Sequence, residues 1–173
     1  MDIKRFLPSL AVCVFVGAMV MAQDANQAVP EMSAAQKRVA IKEFSRSAVM
    51  DGITLSFVLL NNKTVEALFS GDGRQAMRAR ANMTTTFYVQ GSPSKDIHFN
   101  PQFVVEQDGK KFAAESIVIK NFHSGNVLKG TQIEGLIQLS EKINVTQPFM
   151  IRGFHEGSAE FKLSPTAINL LAN

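Results

Sequence analysis

Hydrophobic and polar positions alternate in short segments along most of this chain, with turn residues between them. The clearest segment runs from Gln102 to Ala114 and holds Asp108-Gly109 at its centre. Asp-Gly between two apolar runs predicts a two-residue hairpin, because that turn needs positive φ at both positions. Such a loop pairs Gln107 with Lys110, hence Val105 with Phe112 and Phe103 with Ala114 on one face. Glu106 then meets Lys111 on the other face, an opposite-charge pair across the strands.

Other segments follow the same period. Ile117 and Ile119 alternate before a turn at Ser124-Gly125-Asn126. Thr131, Ile133, Ile137 and Leu139 share one parity, with Gln132, Glu134 and Gln138 opposite. Phe149 and Ile151 precede a turn at His155-Glu156-Gly157, after which Ala159, Phe161 and Leu163 alternate with Glu160 and Lys162. Ile53 to Leu60 is apolar on both parities, as in a strand covered on two sides. Thr84 to Val89 is β-branched and aromatic, which predicts a further strand. Lys37 to Phe44 fits a strand through Val39 and Ile41, although Ala34 to Phe44 also has the texture of a helix start; strand is the expectation, with a turn at Asp51-Gly52 after it. Ser70-Gly71-Asp72-Gly73 reads as a hairpin loop. One helix is predicted, from Thr166 to Ala172, with Ser164 as its cap and Pro165 at its first position. Its survival depends on Ile168 and Leu171 docking on the sheet. Roughly eight short strands separated by regular turns indicate an all-β fold, an immunoglobulin-like antiparallel β-sandwich over residues 37–173 with a short C-terminal helix.

The N-terminus changes the picture. A charged start of Asp2, Lys4 and Arg5 precedes an apolar run from Phe6 to Met21, and Ala22 stands before polar Gln23 and Asp24. That order is a secretory signal peptide, residues 1–22. Two rival readings exist. Leu10-Ala11-Val12-Cys13 has the outline of a lipoprotein box, but Val12 is bulky and the apolar run continues past the cysteine. An uncleaved anchor would need Phe6 to Ala22 to span a bilayer at the short limit of length. Residues 23–36, rich in Ala, Gln and Asn, read as a flexible arm.

Cleavage after Ala22 would leave 151 of the 173 residues and no cysteine, since Cys13 is the only one. Disulfides, thiolate metal sites and cysteine nucleophiles are then excluded from the mature chain. Loss of Lys4, Arg5 and Asp2 leaves 16 basic and 14 acidic residues, too even a balance to argue for nucleic acid. Arg74, Arg78 and Arg80 form the densest basic cluster, read as a solvated strand face.

The strand into Asn61-Asn62-Lys63-Thr64, Phe103 to Phe112 with its Asp-Gly turn, Leu128-Lys129-Gly130 leading into Gly135 to Leu139, and the last strand Ala159 to Leu163 are laid out in a recognisable way. From Ile53 to Ser164 the chain resembles the telokin-like, immunoglobulin-like extracellular domains of bacterial envelope proteins. The resemblance implies a sandwich with a binding or accessory role and supplies no catalytic residues. The chain departs from it in lacking a lipid box and in a longer stretch from Ser70 to Phe99.

Candidate chemistry is sparse. No nucleophile elbow, paired metal-ligand spacing or phosphate-cradling loop is present. If strands alternate in direction, His98, His123 and His155 fall near one end of the fold, where imidazoles could hold a metal. Asn62, Asn82 and Asn144 each open an Asn-x-Thr sequence that a eukaryotic secretory pathway could glycosylate. Met77, Met83 and Met150 read as core. The expectation is an exported, non-enzymatic module, periplasmic or secreted, without cofactor, acting through an envelope or extracellular protein partner. The alternative is a binder of a small ligand, glycan or metal, using loops at one end of the sandwich.

Overall fold

The computed structural model describes residues 31–172, so the signal peptide, Cys13 and most of the expected arm lie outside the described residues. Ten strands and four helices follow in the order α1 (Ala34–Glu43), β1 (Ser45–Met50), β2 (Ile53–Leu59), α2 (Asn62–Leu68), α3 (Gly71–Met83), β3 (Thr86–Pro93), β4 (Ile97–Phe99), β5 (Phe103–Gln107), β6 (Lys110–Lys120), β7 (Gly125–Val127), β8 (Ile133–Leu139), β9 (Phe149–Arg152), β10 (Ser158–Phe161) and α4 (Pro165–Ala172). Eight strands form one antiparallel sheet in the order β1-β2-β3-β8-β6-β5-β9-β10, and β4 pairs with β7 in a separate two-stranded sheet.

The large sheet curls until its first and last strands face each other. Asp51 donates its N–H to the carbonyl of Glu156 at 3.3 Å, and the Arg46 guanidinium donates to the carbonyl of Lys162. A Cβ on Gly157 would lie 2.3 Å from the carbonyl oxygen of Val49, so the seam closes this tightly only around a glycine.

The Asp108-Gly109 hairpin has the register its sequence dictates. Gln107 pairs with Lys110, Glu106 with Lys111, Val105 with Phe112 and Phe103 with Ala114. Asp108 and Gly109 take φ of 52° and 76°. Phe103, Val105, Ile133, Ile137, Phe149, Ile151, Phe161 and Leu163 are buried in one core, with Phe112 half-buried at its margin. Lys111 and Lys162 face solvent. Within that core Phe149 and Phe161 stack at 5.0 Å with 6° between their planes, and Phe87 tilts against both.

Gly135 explains how the opposite half of the core fills. The pairing of β6 with β8 shifts between Val118 and Lys120, and Asn121 follows with φ of 52°. This bend returns the chain inward and lays the Phe122 ring over Gly135, where a Cβ would come within 2.1 Å of the ring. Phe122 is fully buried against Phe99 and Phe103.

The helices are the main correction to the sequence reading. Lys37 to Phe44, expected as a strand, is helical through Glu43 in α1 with Phe44 as the C-cap, and Ala34 to Gln36 form the first turn rather than the end of an arm. The Ser33 hydroxyl accepts from the Gln36 N–H while the Gln36 side chain accepts from the Ser33 N–H, a capping box that outweighs the short Val39/Ile41 alternation. Ser70 to Gly73 opens α3 instead of forming a hairpin loop, and Asn62 to Leu68 is helical. The arginine cluster is correspondingly helical and anchored. Arg74 donates to the Phe69 carbonyl at 3.1 Å, Arg78 to Glu66 at 3.0 Å and Arg80 to Gln138 at 2.7 Å.

Helices α2 and α3 cover the outer face of the sheet. Val58, Tyr88, Leu136 and Ile117 lie in one row across β2, β3, β8 and β6. Val65, Leu68, Phe69, Met77 and Ala81 pack against Leu60, Leu136, Tyr88 and Ile117 as a second, smaller core. Ile117 therefore points outward to the helices while Ile119 is exposed, against the expected shared role of the two. Met77 is in this layer, but Met83 is exposed and not core. The C-terminal helix forms as expected. Ser164 Oγ accepts from the Ala167 N–H at 3.0 Å, Ala167 is buried, and Ile168 and Leu171 dock on the main core.

Tyr88 lies at the edge of the helix-covered layer and donates to Glu134 Oε2 at 3.1 Å. Burial first, then the charge of Glu134 and its hydrogen bond, push the phenol up to about 12 from 10.0. A raised folded value means full stability below the unfolded pKa and loss as pH climbs from there through the folded one. As this is the only tyrosine, its phenolate absorbance reads the group directly. We predict a midpoint well above 10.0, lowered but still raised in Glu134→Gln because burial is the larger cause. A midpoint at the ordinary phenol value in the intact protein contradicts the burial of this side chain.

Candidate functional site

The end of the sheet that carries the Asp108-Gly109 hairpin also carries a cleft of about 420 Å³. Its base is where β2 ends and β3 begins, at Leu59, Leu60, Thr84 and Thr85. One wall is α2 with the last turn of α3, and the opposite wall is the β8–β9 loop together with α4.

Each wall is held by identifiable bonds. Asn61 Oδ1 accepts from the N–H groups of Lys63 and Thr64 at 2.9 and 3.0 Å, and Thr64 Oγ1 accepts from the Asn61 N–H at 2.9 Å. This reciprocal cap starts α2 directly after β2 and aims Lys63 and Glu66 along the cleft. On the other side, Ile143 donates to Thr85 Oγ1 at 3.1 Å, and Asn144 N donates to Gln107 Oε1 at 3.1 Å while Gln107 Nε2 donates to the Asn144 carbonyl at 2.8 Å. The loop is thereby clamped to both the cleft base and the hairpin. Thr84 Oγ1 donates to the Leu139 carbonyl at 2.5 Å, so both threonine hydroxyls are engaged.

The cleft lining is both apolar and cationic. Ile143, Val145, Leu170 and Leu171 line it, with the last three only half-buried. Lys63 and Lys142 line it as well, whereas Glu66 is ion-paired to Arg78 at 3.0 Å. Asn61 Nδ2 is buried without a partner among the described residues. The three Asn-x-Thr asparagines, Asn62, Asn82 and Asn144, are exposed around this region, and two of them line the cleft. The threonines of the first two sequences, Thr64 and Thr84, are buried and bonded, which gives both a structural reason to be there.

The histidines lie at the other end. Asp51 Oδ1 accepts from the N–H groups of His155 and Glu156 at 3.2 and 2.9 Å. Ile97, next to His98, lies beside Gly52 in the same turn, and His98 pairs across the small sheet with Asn126, to which its ring bonds at 3.2 Å. His123 enters β7 close by. All three are exposed, and among the described residues no three His, Cys, Asp or Glu side chains converge as a metal would need. No described helix is long and apolar enough to cross a membrane.

Reading the sequence strand by strand missed this cleft because one wall is built by α2 and α3, which alternation did not reveal. Two signals were present: the N-x-x-T cap at Asn61 and the helix-favouring run Arg74 to Met83. No family model, curated protein or solved structure matches the chain.

Proposed function

We propose that this chain is an exported, non-enzymatic binding module of immunoglobulin-like topology that works through protein–protein contacts in the cell envelope or outside the cell. The order of strand pairing supports the topology. With β2, β3, β5, β6, β8, β9 and β10 taken as A to G, the ladders A-B-E-D and C-F-G of that fold are reproduced. The C–D pairing of β5 with β6 and the approach of β1 to β10 are what round the sheet. The charged, apolar, small-residue order of residues 1–22 supports export.

The observation that carries the contact role is an apolar patch on the outer face of β5 and β6. Val104 and Ala113 pair across the strands, and Phe154 stands beside them, 50% exposed, over a shallow depression. The patch is rimmed by charge, with Glu106 bonded to Arg152 at 2.6 Å and paired with Lys111 at 3.6 Å. An apolar centre with a polar rim is the anatomy of a protein interface.

The test is capture from an envelope extract by the wild type and by Val104→Asp, whose change is confined to an outward position. The expected result is one protein retained by the wild type and lost by the variant. Equal retention by both, or no retention by either, overturns the reading.

A second reading, a small-ligand binder, is favoured by the cleft beneath α4. It falls at the hairpin end of the sheet, opposite the histidines.

A further inference from the structure

The geometry points to the cleft between α2 and α4 as a site for an alkyl carboxylate, a single aliphatic chain with an anionic head. The inference rests on the small-ligand reading and is independent of the sheet-face patch.

The volume, about 420 Å³, falls in the ordinary range of small-molecule sites. Its lining combines an apolar group with two ammoniums. Helix α4 sends Ala167 into the core but holds Leu170 and Leu171 half-buried at the cleft, facing Ile143 and Val145 of the clamped loop. An aliphatic chain there removes apolar surface from water on both sides, which favours the bound state.

Charge comes from both walls, from Lys63 on α2 and from Lys142 on the loop beside Ile143. Among the described residues neither Lys63 nor Lys142 has an ion-pair partner, while the one carboxylate lining the cleft, Glu66, is already neutralised by Arg78. Asn61 Nδ2 adds a buried donor whose carbonyl oxygen is spent on the α2 cap. Thr84 Oγ1 gives its hydrogen to a carbonyl, so the donors lining the cleft for a head group are the two ammoniums, the Thr85 hydroxyl and the side-chain amides of the lining asparagines. A neutral sugar would leave both lysines unmatched, and a small inorganic anion would leave the leucine wall wet. A carboxylate on an alkyl chain matches both the ammoniums and the apolar lining.

The experiment is isothermal titration of the full mature chain with decanoate below its micelle concentration, with decylammonium and inorganic phosphate as comparison ligands. Decanoate should bind and the other two should bind at least about tenfold more weakly. Lys142→Glu should weaken decanoate by about tenfold or more, the size of a lost hydrogen bond to a charged group. Leu171→Asp should do the same by wetting the apolar wall. Lys142 is exposed, so its variant keeps the fold and stays informative even where Leu171→Asp does not fold. Failure of decanoate to bind, equal binding of decylammonium, or indifference to Lys142→Glu overturns the site. Val104→Asp separates the two surfaces, because it should bind decanoate like the wild type. Loss of decanoate binding in that variant would place the ligand on the sheet face instead.

Discussion

Gly135→Ala should destabilise the protein by about 3 kcal/mol, at the upper end of the usual cost of overfilling a packed core. The added methyl would sit 2.1 Å from the Phe122 ring, far inside contact distance. The ring has no free direction, because Phe99 and Phe103 hold it at 5.6 and 6.1 Å and it is fully buried. Relief would have to come from the β8 backbone, which pairs with β3 and β6 on its two sides. Urea denaturation measures the loss. The double variant with Phe122→Ala should cost less than the sum of the single changes, since the clash disappears with the ring. Strict additivity would mean that the two residues do not touch.

Phe161→Ala is expected to cost about 3–5 kcal/mol, the range for deleting a buried phenylalanine. Phe161 stacks on Phe149, tilts against Phe87 at 5.3 Å and carries the Arg46 guanidinium 5.8 Å from its ring centre. Its neighbour Lys162 points to solvent, and Lys162→Ala should stay within about 0.5 kcal/mol. Matching denaturation midpoints for the two variants would put β10 in the wrong register, because a slip of one residue exchanges its faces.

The sheet was legible where period and turn chemistry agree. Asp108-Gly109 gave the register of β5 with β6, and alternation placed Ile133, Ile137, Phe149, Ile151 and Phe161 inside. Legibility failed where a strand face that alternation marks as solvent-facing is roofed by another layer. Leu136 and Tyr88 sit on that face, and only α2 and α3 make it a second core. The double-sided apolar run Ile53 to Leu60 announced such a cover without saying what supplied it. The cleft was hidden for the same reason, because Asn61, Ile143 and Leu171 are remote in sequence and meet only through α2, the β8–β9 loop and α4. The three histidines gather loosely at the turn end, but their rings make separate local contacts and share no centre.

The seam between β1 and β10 sets an order on assembly. Asp51 and Glu156 meet across 105 positions of sequence, so the contacts that shut the sheet are among its most non-local. Contacts of that separation form late and slow the approach to the native state. Until β10 is in place, β9 keeps an unpaired edge, the exposed backbone row through which chains join one another. The last strand to arrive thus does two things at once: it completes the aromatic stack through Phe161 and it withdraws the β9 edge from neighbouring molecules. A chain ending short of Ser158 would retain most of its strands and still be the form most inclined to aggregate.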